Sequence, residues 1–144
     1  MKYYGICPAS CGEFVQGVMD RAEYLCSYAV DLYSTAEVEE KLNNINLGPL
    51  KSRKAIEAVF KKFNIPVEES KNISLKIRSK IPVGKGMASS TADIGATIGA
   101  TLGLIKKELS SEEIAKLAST IEPTDSIYIE KNSIFKKIIL SFFT

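Results

Sequence analysis

The sequence predicts an α+β fold in which a β-hairpin and a further strand are covered by helices. Three observations support this prediction. Apolar and aromatic residues between positions 3 and 33 occur in short runs typical of strands. Residues 51–64 repeat apolar positions with helical spacing, and residues 73–77 alternate apolar with polar side chains. Two further helical segments follow a glycine-rich turn, and 144 residues suffice for one domain.

The composition is that of an ordinary globular chain, with 25% charged residues and a net charge of +2. This balance argues against a basic nucleic-acid surface. The chain has no histidine, which excludes histidine bases and histidine metal ligands. Its three cysteines lack a C-x-x-C pair, which favours a reduced, cytoplasmic setting and disfavours zinc. The apolar runs are too short for a signal peptide or for a membrane span of roughly 18 residues.

The N-terminal third predicts a hairpin. Tyr3 to Cys7 is apolar and predicts a strand, which residues 8–12 interrupt with Pro, Ser and Gly. Glu13 to Met19 predicts a second strand. Glu23 to Tyr33 is the expected return strand after a turn at Asp20 and Arg21.

The middle of the chain predicts a loop, a helix and a strand. Residues 37–50 are polar and predict a loop. Lys51 to Asn64 predicts a helix, whose lysines and arginine are expected in solvent. Its apolar stripe consists of Ile56, Val59, Phe60 and Phe63. Ile73 to Ile77 alternates with polar residues and predicts a half-buried strand.

Two helices are predicted after the strand. The first, from Ser90 to about Lys106, carries glycine at every fourth position: Gly95, Gly99 and Gly103. Interior glycine costs roughly 1 kcal/mol against alanine, so close packing against a sheet or a second helix is expected. Ser110 and Glu113 have the spacing of a capping box and begin the second helix, which Pro123 ends.

The stretch from Ile81 to Ala96, IPVGKGMASSTADIGA, joins the strand to the first of these helices. Glycines at 84 and 86 allow close approach of a ligand to the backbone, and a helix N-terminus binds anions, most often phosphate. It is neither a Walker loop nor G-x-G-x-x-G, because Gly86 follows Lys85 and Ser89 replaces the third glycine. An ordinary strand-to-helix turn with a serine cap is the alternative.

The pattern P-x-G-x-G-x-x-S-S-[TA]-A in this stretch resembles motif 2 of the GHMP kinases. The resemblance implies that the loop binds the phosphates of ATP and that the second serine, Ser90, reaches Mg²⁺. The implied cofactor-binding residues are Pro82, Gly84, Lys85, Gly86, Met87, Ala88, Ser89, Ser90 and Thr91.

A second cluster, CPASCGEFVQG from Cys7 to Gly17, fits an edge strand with a bulge. It also resembles GHMP motif 1, with the better match to the branch of L-threonine kinases in cobalamin biosynthesis, although Ala9 stands where glycine is usual. The resemblance implies that this segment holds the amino-acid substrate, with Glu13 near its ammonium. The implied substrate-binding residues are Ser10, Cys11, Gly12, Glu13 and Gln16.

Glu122-Pro123-Thr124-Asp125-Ser126 follows the last helix. Its carboxylates could be solvated turn acids. The same E-P-T-D-S resembles the threonine-kinase branch, which implies that Asp125 is catalytic, orienting or deprotonating the substrate hydroxyl. By the same resemblance Glu122 is a candidate metal ligand with Ser90.

The resemblance covers residues 1–126 and implies the N-terminal lobe of a GHMP kinase, with a fold like domain 2 of ribosomal protein S5. The expected C-terminal lobe is absent, and residues 127–144 form an apolar tail that is truncated, frame-shifted or an interface for self-association. The implied activity is ATP-dependent phosphorylation of L-threonine in the synthesis of a cobalamin precursor. The alternatives are a homoserine or other GHMP kinase, an inactive nucleotide-binding fragment and, against the charge and the serine-rich loop, an RNA-binding module.

Overall fold

The structure is a computed structural model that describes residues 1–19, 22–122 and 138–143, with side chains for residues 1–10 and 29–122. Within these ranges a sheet carries helices on one face. The elements in chain order are β1 (Lys2–Met19), β2 (Ala22–Glu40), α1 (Leu50–Lys62), a 3₁₀ helix (Val67–Asn72), β3 (Ile73–Ser79), α2 (Ser89–Ile105), α3 (Ser111–Ser119) and β4 (Ile138–Phe143). The predicted α+β class is therefore confirmed.

Strand β2 is the centre of the sheet. It pairs with β1 in antiparallel register from Lys2↔Glu39 to Met19↔Ala22. It also pairs in antiparallel register with β3 through Ser34–Glu40 and with β4 through Glu23–Tyr28. Because β1 occupies one edge of β2 throughout, β3 and β4 lie one after the other along its other edge.

The predicted hairpin is present, but the predicted interruption at residues 8–12 is wrong. β1 continues through this segment, and the irregularity appears as register shifts between Pro8 and Ala9, between Cys11 and Glu13, and between Glu13 and Val15. A bulge absorbs an extra residue without ending the strand. The edge strand with a bulge is thus the local geometry of this cluster.

The prediction of a loop over residues 37–50 is wrong for its first part, because β2 extends to Glu40. Val38 is fully buried in the core, whereas the Glu37 carboxylate pairs with the Lys2 ammonium at 3.0 Å. That ammonium lowers the pKa of the Glu37 carboxyl. Glu37 and Glu39 beside Val38 resemble a polar loop in sequence, yet they belong to a strand in which Lys2 of β1 and Lys76 of β3 face them.

Helices α1 and α2 cover one face of the sheet, and α3 packs on them. Small residues of α2 meet β1 and β2 in one cluster, which includes Ala92, Ala96 and Ala100. The other side of α2 contacts α1 and α3 in a second cluster through Ile94, Ile98 and Leu102. On the opposite face of the sheet, Tyr4 and Ile6 are 58% and 67% exposed. No helix in the described ranges has the length and apolar character needed to cross a membrane.

The glycine stripe of α2 faces the sheet, which confirms the expected close packing. A Cβ at Gly5 of β1 would lie 1.9 Å from the Ala96 carbonyl oxygen, and a Cβ at Gly95 would lie 2.7 Å from Cys7 Sγ. Such distances are far below van der Waals contact. Glycine therefore sets how near α2 approaches β1.

Arg53 departs from the prediction that the basic residues of α1 are solvated. It is buried, and its Nη1 donates a hydrogen bond to the Ile73 carbonyl at 2.7 Å. Burial lowers the pKa of the Arg53 guanidinium. This contact joins the first turns of α1 to the start of β3, so the side chain has a structural role.

The third helix begins as predicted. The Ser110 hydroxyl accepts a hydrogen bond from the Glu113 backbone N–H at 3.2 Å, which caps α3. The helix ends at Ser119, three residues before Glu122. The Glu122 N–H still donates to the Ala118 carbonyl at 3.1 Å, so Glu122 leaves directly from the end of α3.

Candidate functional site

The glycine-rich loop joins β3 to α2 and is open to solvent. Gly84 and Gly86 have φ angles of +70° and +69°, a conformation in which other residues are strained. No atom lies within 4 Å of the position of a Cβ at either glycine. These glycines are therefore required by the backbone turn, and the space beside them is free for a ligand.

The first turn of α2 lies immediately after this loop. Ala88 is the N-cap, with φ +55° and ψ +43°, and supplies no side-chain hydrogen bond. The alternative of a serine-capped turn is therefore wrong, because Ser89 is already helical. A helix N-terminus without a side-chain cap directs N–H groups and the positive end of the dipole at an anion. The combination of open loop and helix N-terminus suits phosphate.

The loop is tied to β1 by one backbone hydrogen bond. The Ser10 N–H donates to the Met87 carbonyl at 3.3 Å. This bond brings the second motif cluster, whose first site residue is Ser10, beside the loop. The two motifs, more than seventy residues apart in the sequence, are neighbours in the structure.

Ser90 and Glu122 are also brought together. The Ser90 hydroxyl is 2.9 Å from both carboxylate oxygens of Glu122, to which it donates. The side chain of Glu122 is 11% exposed, and Lys51 forms an ion pair with it. Hydroxyl and carboxylate oxygens are the hard ligands that Mg²⁺ prefers. The two side chains can thus supply two ligands on one side of such an ion.

The described residues hold no group of three or more Asp, Glu, His or Cys side chains arranged for a metal. Mg²⁺ in nucleotide sites commonly uses one or two protein ligands together with phosphate oxygens and water. A serine and a glutamate beside an open glycine-rich loop fit that coordination. They do not fit a metal held entirely by protein.

Asp93 is a residue of this region that sequence reasoning missed. Its Oδ1 accepts a hydrogen bond from the Ser34 hydroxyl at 2.5 Å, one turn into α2. Burial raises the pKa of the Asp93 carboxyl, and the bond from Ser34 opposes part of that effect. The sequence does contain a clue that Asp93 has a specific partner, since it is the one charged residue within α2.

The remaining candidates are placed as follows. Lys85 is exposed in the loop, and Thr91 is buried within α2. Ser10 is buried at the strand. Cys11, Gly12, Glu13 and Gln16 lie on β1, where the structure describes the backbone. Asp125 lies outside the described residues.

Comparison with known proteins supports the family resemblance. Residues 51–129 match the model of the GHMP kinases N terminal domain. An L-threonine kinase of Salmonella typhimurium is 45% identical over 129 residues, and one of Citrobacter freundii is 40% identical over the same length. The crystal structure of the Methanococcus jannaschii mevalonate kinase superposes with a TM-score of 0.69 at 25% identity, covering 99% of this chain.

The chain spans less than half the length of the two L-threonine kinases. The matched part is 90% of this chain in both comparisons but 43% and 44% of those proteins. The mevalonate kinase structure is covered over 54% of its length. The similarity therefore concerns the N-terminal part of these proteins.

Proposed function

Because this chain belongs to the GHMP kinases, we propose that it forms the ATP-binding part of a kinase that phosphorylates the hydroxyl of L-threonine. The observation that carries the proposal is the contact between Ser90 and Glu122 beside an open glycine loop. The acceptor is chosen because two L-threonine kinases are 45% and 40% identical to the chain. The proposal includes a cytoplasmic location and a role in the synthesis of a cobalamin precursor.

The loop and the helix N-terminus bind the nucleotide. Backbone N–H groups from Gly84 to Ser89 hold the phosphates, and Lys85 adds a positive charge at their exposed side. Ser90 and Glu122 direct oxygen atoms at Mg²⁺. ATP would supply the phosphoryl group, and Mg²⁺ held by Ser90 and Glu122 would neutralise negative charge there. Phosphoryl transfer depends mainly on such positioning and charge neutralisation, so few protein groups suffice.

The acceptor binds at the neighbouring strand. The hydrogen bond from Ser10 to Met87 sets this part of β1 against the loop, which supports a role of the Ser10 to Gln16 segment in binding the acceptor. Glu13 pairs with the ammonium of the amino acid, and Asp125 orients or deprotonates its hydroxyl. Threonine and homoserine differ little in size, and such differences are worth only about 1–3 kcal/mol in a pocket. Homoserine is therefore the competing substrate to be measured.

One alternative has a specific observation in its favour. The matched region is 43% of the Salmonella typhimurium enzyme. In this alternative the chain binds nucleotide and turns it over only when a second polypeptide or a second copy completes the site. This alternative predicts saturable binding of Mg-ADP with no transfer to any amino acid.

The activity is tested with phosphorus NMR of the purified 144-residue chain, Mg-ATP and each amino acid in turn. A phosphomonoester signal that requires L-threonine is the expected result, with a weaker signal from homoserine. Asp125→Asn should abolish the signal. Asp31→Asn, the same change at an exposed carboxylate on β2, should leave it intact.

Two results would count against the proposal. Binding of Mg-ADP without any phosphomonoester would favour the incomplete site. If neither binding nor transfer occurs in a folded chain, the nucleotide-binding role itself is lost. Full activity of the Asp125→Asn variant would remove that residue from the mechanism without affecting the others.

A further inference from the structure

The Glu122 carboxylate, which follows α3, contacts the first turns of both α1 and α2. Ser90 in the first turn of α2 donates to both of its oxygens, and Lys51 in the first turn of α1 forms an ion pair with Oε1. Resting on the proposed cation site at Ser90 and Glu122, we propose that Lys51 is an internal counter-ion of Glu122. Its ammonium compensates the carboxylate while the site is empty and must leave before a divalent cation binds there.

The Glu122 carboxylate is more buried than the Lys51 ammonium, as the counter-ion role requires. The Glu122 side chain is 11% exposed, whereas that of Lys51 is 52% exposed. A largely buried carboxylate is costly without a cation, so the empty site is stabilised by the ammonium. Lys51 is attached through a flexible stem at the protein surface. Its ammonium is therefore the one of the two charges that can turn into water, while the largely buried Glu122 stays in place.

The two cations exclude each other because both bind the Glu122 carboxylate. An ammonium and a divalent ion bound to one carboxylate would lie within a few ångströms, where like charges repel strongly in a partly buried site. The Ser90 hydroxyl gains a partner as well. It now directs its hydrogen at Glu122, and as a metal ligand it would direct a lone pair at the ion. Binding of a divalent cation thus removes Glu122 as the partner of Lys51 and adds the ion as a partner of Ser90.

The inference is tested with Mn²⁺ as the probe and the ¹⁵N-labelled 144-residue chain. Mn²⁺ broadens amide signals of nearby residues, so the concentration that halves the Ser90 amide signal reports local affinity. Lys51→Met removes the ammonium but keeps most of the stem. It should reach half broadening at about two- to fivefold lower Mn²⁺, the range expected for a partly exposed ion pair. Lys51→Gln should behave similarly.

Lys54→Met is the matched control, because Lys54 is exposed on the same helix one turn further on. It should broaden at the same Mn²⁺ concentration as the wild-type chain. Glu122→Gln should lose the local broadening. If Glu122→Gln loses it while both Lys51 variants match the wild type, the counter-ion role is wrong and the metal site stands. If Glu122→Gln broadens like the wild type, or no protein shows local broadening, the metal site and the counter-ion role are both wrong.

Discussion

Two carboxylates near the start of α2 have different surroundings. Glu122 lies against an ammonium and a hydroxyl, which compensate its charge. Asp93 accepts a hydrogen bond from the Ser34 hydroxyl in a part of the helix that faces the sheet. The surroundings of Glu122 suit a carboxylate that exchanges one cation for another. At Asp93, burial disfavours the charged form of the carboxyl.

Asp93→Asn should therefore change how stability depends on pH. Burial raises the folded-state pKa of Asp93 above the ordinary value of an aspartate. The protonated form is then favoured in the folded state, and its contribution to stability is complete below the unfolded pKa and lost as pH rises through the folded pKa. The free energy of unfolding of Asp93→Asn, minus that of the wild type, should thus increase from pH 3.5 to pH 7.

Urea unfolding at several pH values measures this difference. Ser34→Ala serves as the companion variant, because removing the hydrogen bond that lowers the Asp93 pKa should extend the loss of stability to higher pH. A difference between Asp93→Asn and the wild type that stays constant across the range would show that Asp93 has the same pKa in both states.

At the scale of single residues, sequence reasoning selects Ser90 and Glu122 but misses the contact between Ser34 and Asp93. Ser90 and Glu122 were chosen together through their motifs, and the structure brings them within 2.9 Å, although their role as metal ligands stays a prediction. The contact between Ser34 and Asp93 spans 59 residues and belongs to no motif. Such a contact depends on which face of α2 meets β2, which is a property of the packed structure.

Among the elements, α2 sets the geometry of the site because it carries the loop at its N-terminus and lies directly on β1. Its approach depends on Gly5 across the interface, where a Cβ would lie 1.9 Å from the Ala96 carbonyl oxygen and 2.6 Å from the Ala100 nitrogen. Both are backbone atoms that cannot turn aside. Changing the separation of α2 and β1 would also change the hydrogen bond between Ser10 and Met87.

Gly5→Ala should consequently destabilise the chain by at least about 3 kcal/mol, near the upper end of overpacking effects. Gly99→Ala is the matched control on the other side of the interface. Its Cβ would lie 3.7 Å from the Gly5 Cα, an ordinary contact, and alanine favours the helix by up to about 1 kcal/mol. Gly99→Ala should therefore be neutral or stabilising in thermal unfolding. Equal losses in both variants would refute the close approach at Gly5.

Helices were predicted more accurately than strands, and the reason is physical. The bounds of α1 and α2 lie within two residues of the expected ones, because a helix forms its hydrogen bonds within one segment and its apolar period is visible locally. The strands were misjudged at residues 8–12 and 37–40. There the pairing with another strand decides the conformation, and a sequence segment does not display its partner.

For the whole molecule, β2 is the strand on which every other strand depends. Its part from Ser34 to Glu40 lies between β1 and β3, and its part from Glu23 to Tyr28 lies between β1 and β4. The apolar end of the chain, expected as a truncated tail or an interface, thus supplies β4 to this sheet. Self-association through residues 127–144 stays a prediction.

Removing β4 should affect the two parts of β2 unequally. In a chain shortened to residues 1–137, the Glu23 to Tyr28 part would keep β1 as its one described neighbour, and a two-stranded ribbon is marginally stable in water. Amide hydrogen exchange in this part should accelerate, because local opening would need less free energy. Exchange from Ser34 to Glu40 should stay slow, since β3 and the helices are retained. Unchanged exchange at Glu23 to Tyr28 would mean that β4 does not protect the hairpin. An equal acceleration in both parts would mean instead that the sheet opens as one cooperative unit, in which the end of the chain stabilises the glycine-rich loop as well.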